Sequence, residues 1–133
     1  MDGGLGNDYL ESRLGADRFI FDINTAFNST IGIDTIADFV TGTDKIVLDK
    51  TTFTALTSAA GGSIASTEFA TINETTNGAT VAGASSARIV FNRANGDLFY
   101  NANGITAGFG TGGRFATLSG VSALSATDLL LQA

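Results

Sequence analysis

Short apolar runs, separated by residues that favour turns, recur along most of the chain. No long segment keeps the apolar spacing of an amphipathic helix, so the pattern favours strands. Short strands at regular spacing, with turn signals between them, predict an all-β domain. Five runs rich in β-branched, aromatic and aliphatic residues are the predicted strands: 35–40, 45–49, 88–92, 97–100 and 114–118.

Turn and cap signals lie at the ends of several of these runs. Residues 41–44 predict a turn between the first two strands. The pair Asn95-Gly96 predicts a tight hairpin between the third and fourth strands, with positive φ at both residues. Single helical turns are expected at residues 66–69 and after Ser125, which would cap its turn before a last apolar strand. Residues 104–113 are expected to form a glycine-rich loop.

The composition narrows the chemistry that the chain can carry. Its 133 residues are 44% apolar and include ten Phe, which is enough for one domain with a core. There is no Cys, His, Pro or Trp, so disulfides, His- or Cys-dependent catalytic triads and the usual zinc sites are excluded. The metal ligands that remain are oxygens, which suit a hard cation, calcium before magnesium.

The charge and the ends of the chain bear on its partners. A formal net charge of −6 disfavours nucleic acid, because phosphate binding needs clustered Lys and Arg. No apolar stretch is long enough to span a bilayer, so stable membrane insertion is not expected. The first residues have neither the basic nor the apolar region of a secretory signal peptide. With Met1 directly before a repeat-like segment, we expect the chain to be part of a longer protein.

One short motif carries the metal chemistry. Residues 3–11 fit the pattern G-G-x-G-x-D-x-U-x, where U is apolar, at every position. This nonapeptide is the calcium-binding repeat of RTX proteins. Its glycines allow sharp turns that aim carbonyl oxygens inward, Asp8 adds a charged oxygen, and Leu10 points into the core.

The next nine residues keep the same register. Asp17 follows Asp8 by nine residues, and Gly15 and the apolar position are kept as well. Ser12 and Arg13 replace the two leading glycines of the repeat. An in-register second copy indicates a true repeat rather than an isolated glycine turn with a solvated aspartate.

The chain resembles the C-terminal region of RTX proteins exported by type I secretion, and the C-terminal domain of serralysin-type proteases. Residues 15–21 look like the closing repeat of that family, and residues 34–46 are similar to its D-x-I-x-D-F…D-K-I signature. Residues 96–100 and 115–120 resemble later strands, and residues 125–131 look like the uncleaved export end.

The resemblance implies a single all-β domain in two parts. Residues 1–24 would form the last turns of a short parallel β-roll, which runs into an antiparallel, sandwich-like cap formed by residues 25–133. It also implies calcium binding, export through the channel of an ABC transporter, and a secreted, extracellular or cell-surface location. We expect a monomer that folds on calcium outside the cell and has no catalytic activity of its own.

The expected calcium ligands lie in the two repeats and shortly after them. The Asp8 turn needs a partner turn eighteen residues away, and downstream this falls near Asp22 and Asn24. Asp34 is expected to be a ligand at the last turn of the roll. For Asp38 an equal alternative is a carboxylate at the end of a strand that pairs with Lys45 or caps backbone amides. The candidate metal-site residues are Gly3, Gly4, Gly6, Asp8, Gly15, Asp17, Asp22, Asp34 and Asp38.

Two other functions stay open. A polysaccharide- or cell-surface-binding module would need a shallow groove lined with Tyr, Asn and charged residues. A purely structural cap would stop an upstream roll from exposing a strand edge. The Phe side chains are expected in the core rather than in a ligand-binding stripe.

Overall fold

The computed structural model describes residues 2–103 and 106–133, so Met1 and two positions of the expected glycine-rich loop lie outside the described residues. Most of the regular structure is β, as the sequence predicts, with one short helix, α1 (Gly78–Gly83). Single turns of 3-10 helix lie at Ser29–Ile31, Ser66–Glu68 and Ala126–Asp128. The described strands are β1 (Tyr9–Leu10), β2 (Arg18–Phe21), β3 (Asp34–Ile36), β4 (Lys45–Asp49), β5 (Phe69–Ile72), β6 (Ile89–Asn92), β7 (Asp97–Tyr100), β8 (Gly113–Leu118) and β9 (Leu129–Gln132).

The strands form two sheets, and the chain alternates between them from β1 to β4 and again from β8 to β9. The larger sheet has the strand order β1-β3-β8-β7-β6-β5, and the smaller one has the order β2-β4-β9. β1, β3 and β8 are parallel neighbours in the larger sheet, and β2, β4 and β9 are parallel neighbours in the smaller one. The chain therefore makes three coils, which we call the first (β1 and β2), the second (β3 and β4) and the third coil (β8 and β9).

The length of a coil is not constant. Tyr9 pairs with Thr35, an offset of 26 residues. An isolated parallel bridge joins Asp2 to Ile20, an offset of only 18 residues, which equals two nonapeptides. The spacing of two nonapeptides therefore holds up to the first coil, and the loop of residues 22–33 lengthens the path from the first coil to the second.

The two strands predicted at 35–40 and 45–49 exist as β3 and β4, but they lie in different sheets. β3 ends early, at Ile36. Asp38, which follows, instead binds the backbone of the first coil, since Ser12 N donates to its Oδ1 at 3.0 Å. Residues 37–44 thus form a corner between the sheets.

Residues 50–112 leave the coils after β4 and return at β8. Within this excursion β5 pairs with β6 in parallel, while β6, β7 and β8 are antiparallel neighbours. The expected antiparallel cap is therefore limited to these strands, and it widens the larger sheet instead of forming a sandwich of its own. Strands from both sides of residue 24, the predicted boundary between roll and cap, belong to the same two sheets. The coiled part of the chain, which consists of the three coils, therefore extends beyond that boundary to β9.

The hairpin predicted around Asn95-Gly96 is present, since β6 and β7 pair antiparallel. Its turn differs from the prediction, because φ is positive at Gly96 (84°) but not at Asn95. Gly96 N donates to Asn92 O at 2.8 Å, which closes a wider turn than the two-residue turn predicted. A side chain cannot replace this glycine, because a Cβ atom would lie 2.2 Å from Leu118 O.

An aromatic cluster lies at the centre of the main core. The ring of Phe53 lies 5.0 Å from that of Tyr100 and 5.1 Å from that of Phe115, both edge-on. Phe27 packs on the same Tyr100 ring at 5.1 Å, and the Tyr100 hydroxyl accepts a bond from Ala55 N at 2.8 Å. Most Phe side chains are buried, as predicted, and each contributes about 1.5–3 kcal/mol by leaving water.

A second, smaller core covers the outer face of the larger sheet. Ala82 of α1 packs there with Ala87, Val90 and Phe99, and Phe109 lies against them. α1 has six residues, and no helix in the described part of the chain is long and apolar enough to cross a membrane.

The third coil is closed by Asp128, a buried carboxylate. Ser125 and Asp128 form a reciprocal capping box around the 3-10 turn, which confirms the predicted cap. Asp128 Oδ1 also accepts a bond from Gly42 N at 2.9 Å, and Oδ2 accepts one from the Thr41 hydroxyl. Burial raises the pKa of Asp128, but these bonds and the charge of Lys45 outweigh burial and lower it.

Replacing Asp128 with Ala is expected to lower the free energy of unfolding by about 2–3 kcal/mol, because the amides of Gly42 and Ser125 lose a charged acceptor. The loss should be equal in calcium and in EGTA. It should shrink as pH falls below about 4, the pKa of the unfolded carboxyl, and vanish as pH falls through the lowered pKa of the folded one. Urea unfolding followed by circular dichroism measures it, with the exposed Ser122→Ala as a control. Unchanged stability of D128A would mean that apolar packing alone holds the third coil.

Candidate calcium site

The two nonapeptides fold into turns that have positive φ at the same two positions of the repeat. Gly4 and Gly6 in the first turn have φ of 73° and 92°, and Arg13 and Gly15 in the second turn have φ of 70° and 104°. Arg13 thus keeps the left-handed conformation of the glycine that it replaces, at a cost of about 1 kcal/mol. The turns are therefore in the register that the sequence predicts for the two copies.

Gly3 allows two carboxylates from successive coils to come together. A Cβ atom at Gly3 would lie 2.8 Å from Asp8 Oδ2 and 3.1 Å from Asp34 Oδ2. The residue therefore has to be glycine for reasons of space, since both oxygens lie against the same short stretch of backbone. Gly4 N, the next amide, donates to Asp2 Oδ1 at 2.9 Å, so a third carboxylate lies at this turn.

Asp8 connects the first coil to the second but leaves one oxygen free. Its backbone N donates to Asp34 Oδ1 at 2.9 Å. Its own side-chain Oδ2 is buried and has no hydrogen-bond partner among the described residues. A buried polar atom without a partner costs about 1–3 kcal/mol, and more when it is charged. This oxygen therefore marks a place for a donor or a cation.

Charge repulsion acts on Asp34, which is 2% exposed. The pKa of Asp34 is raised to about 6, first by burial and then by the charges of Asp8 and Asp2, while the bond from Asp8 N lowers it. Neither of the two ion pairs found among the described residues involves these carboxylates. A positive charge at the first turn would therefore relieve both the burial cost and the repulsion.

The second turn also carries carboxylates, but backbone amides of the chain occupy most of them. Asp17 N donates to Asp44 Oδ1 at 2.9 Å, and Val40 N donates to Asp44 Oδ2 at 2.8 Å. Asp38 accepts bonds from the backbone of residues 12 and 13, and these bonds lower its pKa against the effect of burial. Asp17 Oδ2 is the exception, because it is buried without a partner among the described residues.

Asp22 lies outside both turns. Its Oδ1 accepts a bond from Asn24 N at 2.8 Å in the loop that follows β2. The prediction that the Asp8 turn meets this region is wrong, because the loop lengthens the coil beyond two nonapeptides. Asp34 lies beside the Asp8 turn instead, since Asp8 N donates to its Oδ1. The residue expected at the last turn of the roll therefore contacts the first turn.

Asp44 and Asp128 are acceptors whose role the sequence motifs did not reveal. Each stands directly before an apolar strand, as Asp8 and Asp17 do, and Asp34 begins one. An aspartate at the start of a strand is thus the recurring signal. It persists where the glycines of the nonapeptide are absent, so it could have identified both residues.

Side chains alone do not complete a metal site. Across residues 2–103 and 106–133, no three His, Cys, Asp or Glu side chains come close enough to hold a metal ion together. The first turn still fits a hard cation, because Asp8 Oδ2 and Asp34 Oδ2 lie beside glycine-rich backbone whose carbonyls are oxygen donors. A site here would depend on backbone carbonyls for much of its coordination.

In EGTA, the difference in stability between the wild type and D34N is expected to depend on pH. A carboxyl whose pKa is raised on folding stabilises the protein below about pH 4, and this contribution is lost as pH rises through about 6. D34N removes the charge and keeps an acceptor for Asp8 N. It should therefore match the wild type near pH 4 and exceed it by up to about 3 kcal/mol at pH 7.

Urea unfolding in EGTA at several pH values measures this difference. D22N is the matched control, because Asp22 lies outside the carboxylate cluster of the first turn. A difference between D34N and the wild type that does not change with pH would contradict a buried charge at Asp34.

Comparisons with protein-family models, with curated proteins and with solved structures gave no match to this chain. The family resemblance therefore rests on the motifs of the sequence itself. The function that it implies is a proposal, and the geometry of the two turns is the evidence that bears on it.

Proposed function

We propose that this chain is the calcium-binding C-terminal module of a secreted RTX-type protein, in which the three coils form a short parallel β-roll. The observation that carries the proposal is the buried Asp8 Oδ2, which has no hydrogen-bond partner among the described residues and lies, like the Asp34 carboxylate, beside Gly3. Asp8 and Asp34 would hold the ion, together with backbone oxygens of the first turn. Gly3 would provide the space in which the two carboxylates meet.

Calcium, when bound, supplies the positive charge that these carboxylates lack and links the first coil to the second. Without it the residues of the first turn oppose folding, because the charges of Asp8 and Asp2 both repel the buried Asp34. The glycine turn also loses much conformational freedom when it is ordered. Folding then depends on the concentration of the cation, since a ligand that binds only the folded state stabilises that state.

The contacts favour one main site over a row of sites. Asp38 and Asp44 already accept backbone bonds at the second turn. Of the carboxylate oxygens described there, Asp17 Oδ2 is the buried one without a partner. A second and weaker site at Asp17 would need oxygens from outside that turn.

Export and a secreted location belong to the same proposal, and the sequence motifs support them. The third coil, which contains residues 125–131, is held by the bonds of Asp128 and needs no cation. A chain whose first coil does need a cation would stay loosely folded in a calcium-poor cytosol. It would complete its fold after passage through the channel of an ABC transporter.

A structural cap is a second candidate function, favoured by the edge of the smaller sheet. Gly61 N donates to Leu131 O at 2.8 Å, and Ile64 N donates to Leu129 O at 3.0 Å. Residues 61–64 thereby cover the edge of β9, which would otherwise accept another strand. Coils cannot be added beyond the third, and this role is compatible with calcium binding at the opposite end.

Thermal unfolding with millimolar calcium and with excess EGTA tests the calcium site. The wild type is expected to melt about 10 °C higher in calcium, for an ion at a hundred times its Kd. D8N should lose most of this rise without melting lower in EGTA, because the substitution removes a charge from the cluster. D22N is the matched control and should keep the rise.

Three results would count against this site. The first is that the wild type shows no calcium-dependent rise in melting temperature. The second is that D8N and D22N show equal rises. The third is that D8N melts lower than the wild type by the same amount in calcium and in EGTA, which would make Asp8 purely structural. Magnesium at the same concentration should give a smaller rise, because it demands near-octahedral geometry and keeps its waters.

A further inference from the structure

A groove lies beside the larger sheet at Arg114. Two cavities of about 420 and 440 Å³ share Gly113 and Arg114 in their linings, so they adjoin at that point. Each is in the size range of small-ligand sites. We call them the acidic half, which contains Glu74 and Asp97, and the glycine half, which contains residues 110–112.

A β-bulge in β8 brings the polar side chains of the acidic half together. β7 and β8 change register between Leu98 and Phe99, where Phe115 is an extra residue. Arg114 and Thr117 are three residues apart and would point to opposite faces of a regular strand. Because of the bulge, both bind the same carboxylate of β7. Bulges often redirect a side chain in this way beside functional sites.

That carboxylate, Asp97, anchors the groove. Its Oδ1 accepts a bond from the Thr117 hydroxyl at 2.8 Å, and its Oδ2 accepts one from Arg114 Nη1 at 3.2 Å. The Asp97 side chain is 10% exposed, whereas the Arg114 side chain is 44% exposed. One end of the guanidinium is thus fixed on Asp97 of β7. Its other N–H groups have no bond to a described residue, and Arg114 lines both halves.

An apolar wall stands beside these polar groups. Phe99 and Phe109 stack with ring centroids 5.4 Å apart and ring planes 2° apart. Phe99 is buried, but Phe109 is half-buried, and both line the acidic half. A flat aromatic ring next to Asp, Asn and Arg side chains suits a ligand with an apolar ring face and polar edges.

The glycine half has a different character. Residues 110–113 supply backbone with little side chain, so a ligand can approach that backbone closely. Arg114 is the one charged residue among the described residues that line this half. Asn7 and Ile33 form part of its wall, and Ile33 N donates to Asn7 Oδ1 at 2.8 Å.

The lining excludes several classes of ligand. A nucleic acid would meet Glu74 and Asp97 on a chain of net charge −6. A peptide added as a strand needs a free sheet edge, but neither edge strand, β1 or β5, lines the groove as described. A ligand with many hydroxyls fits, since hydroxyls donate to carboxylates and also accept from guanidinium and amide groups.

We propose that this groove binds a segment of a polysaccharide, with Arg114 and Asp97 as the central hydrogen-bonding pair and Phe109 as the surface for a sugar ring. This function goes beyond calcium binding, because none of these contacts is made through the ion. The two sites meet at Asn7 and Ile33, which directly precede the aspartates of the calcium site. Ordering of the first turn therefore completes one wall of the groove.

Two-dimensional ¹⁵N–¹H NMR titrations of the full chain test this proposal. The probes are cellohexaose, N-acetylchitohexaose and hexagalacturonate, which differ in charge and substitution. At least one is expected to shift the amide signals of Asn95, Phe99, Gly113 and Arg114 in a saturable way. R114A should weaken that binding about tenfold, equivalent to one hydrogen bond. R114K should weaken it too, since Lys lacks the guanidinium fork.

R13A is the matched control, because the Arg13 side chain is 85% exposed and lines neither half of the groove. Unchanged signals away from the groove confirm that each variant is folded. Binding of none of the three probes, or equal affinity in the wild type and R114A, would overturn the proposal. Saturable shifts in both calcium and EGTA, or in calcium alone, support binding in the groove. If calcium does not raise the melting temperature, that result contradicts only the calcium site.

Discussion

Hydrogen bonds from the backbone amides of one coil to buried aspartates of the next hold the coils in register. Asp34 accepts from Asp8 N, Asp44 from Asp17 N and Asp128 from Gly42 N, each at 2.9 Å. All three acceptors are almost fully buried. A bond to a charged acceptor contributes about 1.5–3 kcal/mol, but a buried carboxylate is costly unless its oxygens are bonded. The parallel stacking of β1 on β3, and that of β2, β4 and β9, therefore depends on these bonds being complete.

The bonds have a direction, and this makes the two ends of the coiled part unlike. Each aspartate accepts a bond from the coil before it, so the carboxylate of the third coil is satisfied. Asp8 and Asp17 in the first coil each keep one buried oxygen that has no partner in the described part of the chain. As a result, two buried aspartates in equivalent positions have pKa values that are shifted in opposite directions. The pKa of Asp34 is raised by burial and like charges, but that of Asp128 is lowered because three donors and Lys45 outweigh its burial.

The features that could be predicted from the sequence are local ones. The cap at Ser125 and the hairpin around Asn95-Gly96 depend on residues a few positions apart. The partner of Asp8 could not be predicted, because the nonapeptide spacing stops near residue 20 and a loop carries Asp34 into that place. The groove at Arg114 could not be predicted either, since it depends on a bulge that exists only when β7 and β8 are paired.

The free oxygens of the first coil could be satisfied in two ways, by backbone amides of a further coil or by a cation. Asp44 and Asp128 are examples of the first solution. An amide has no net charge, so it would leave the repulsion of Asp34 by Asp8 and Asp2 in place. A divalent cation offsets that repulsion and satisfies the oxygens as well. The carboxylates of Asp8 and Asp34 both lie beside Gly3, and the charge of Asp2 also acts on Asp34. This arrangement, next to a second turn whose carboxylates mostly bind amides, favours the cation at Asp8.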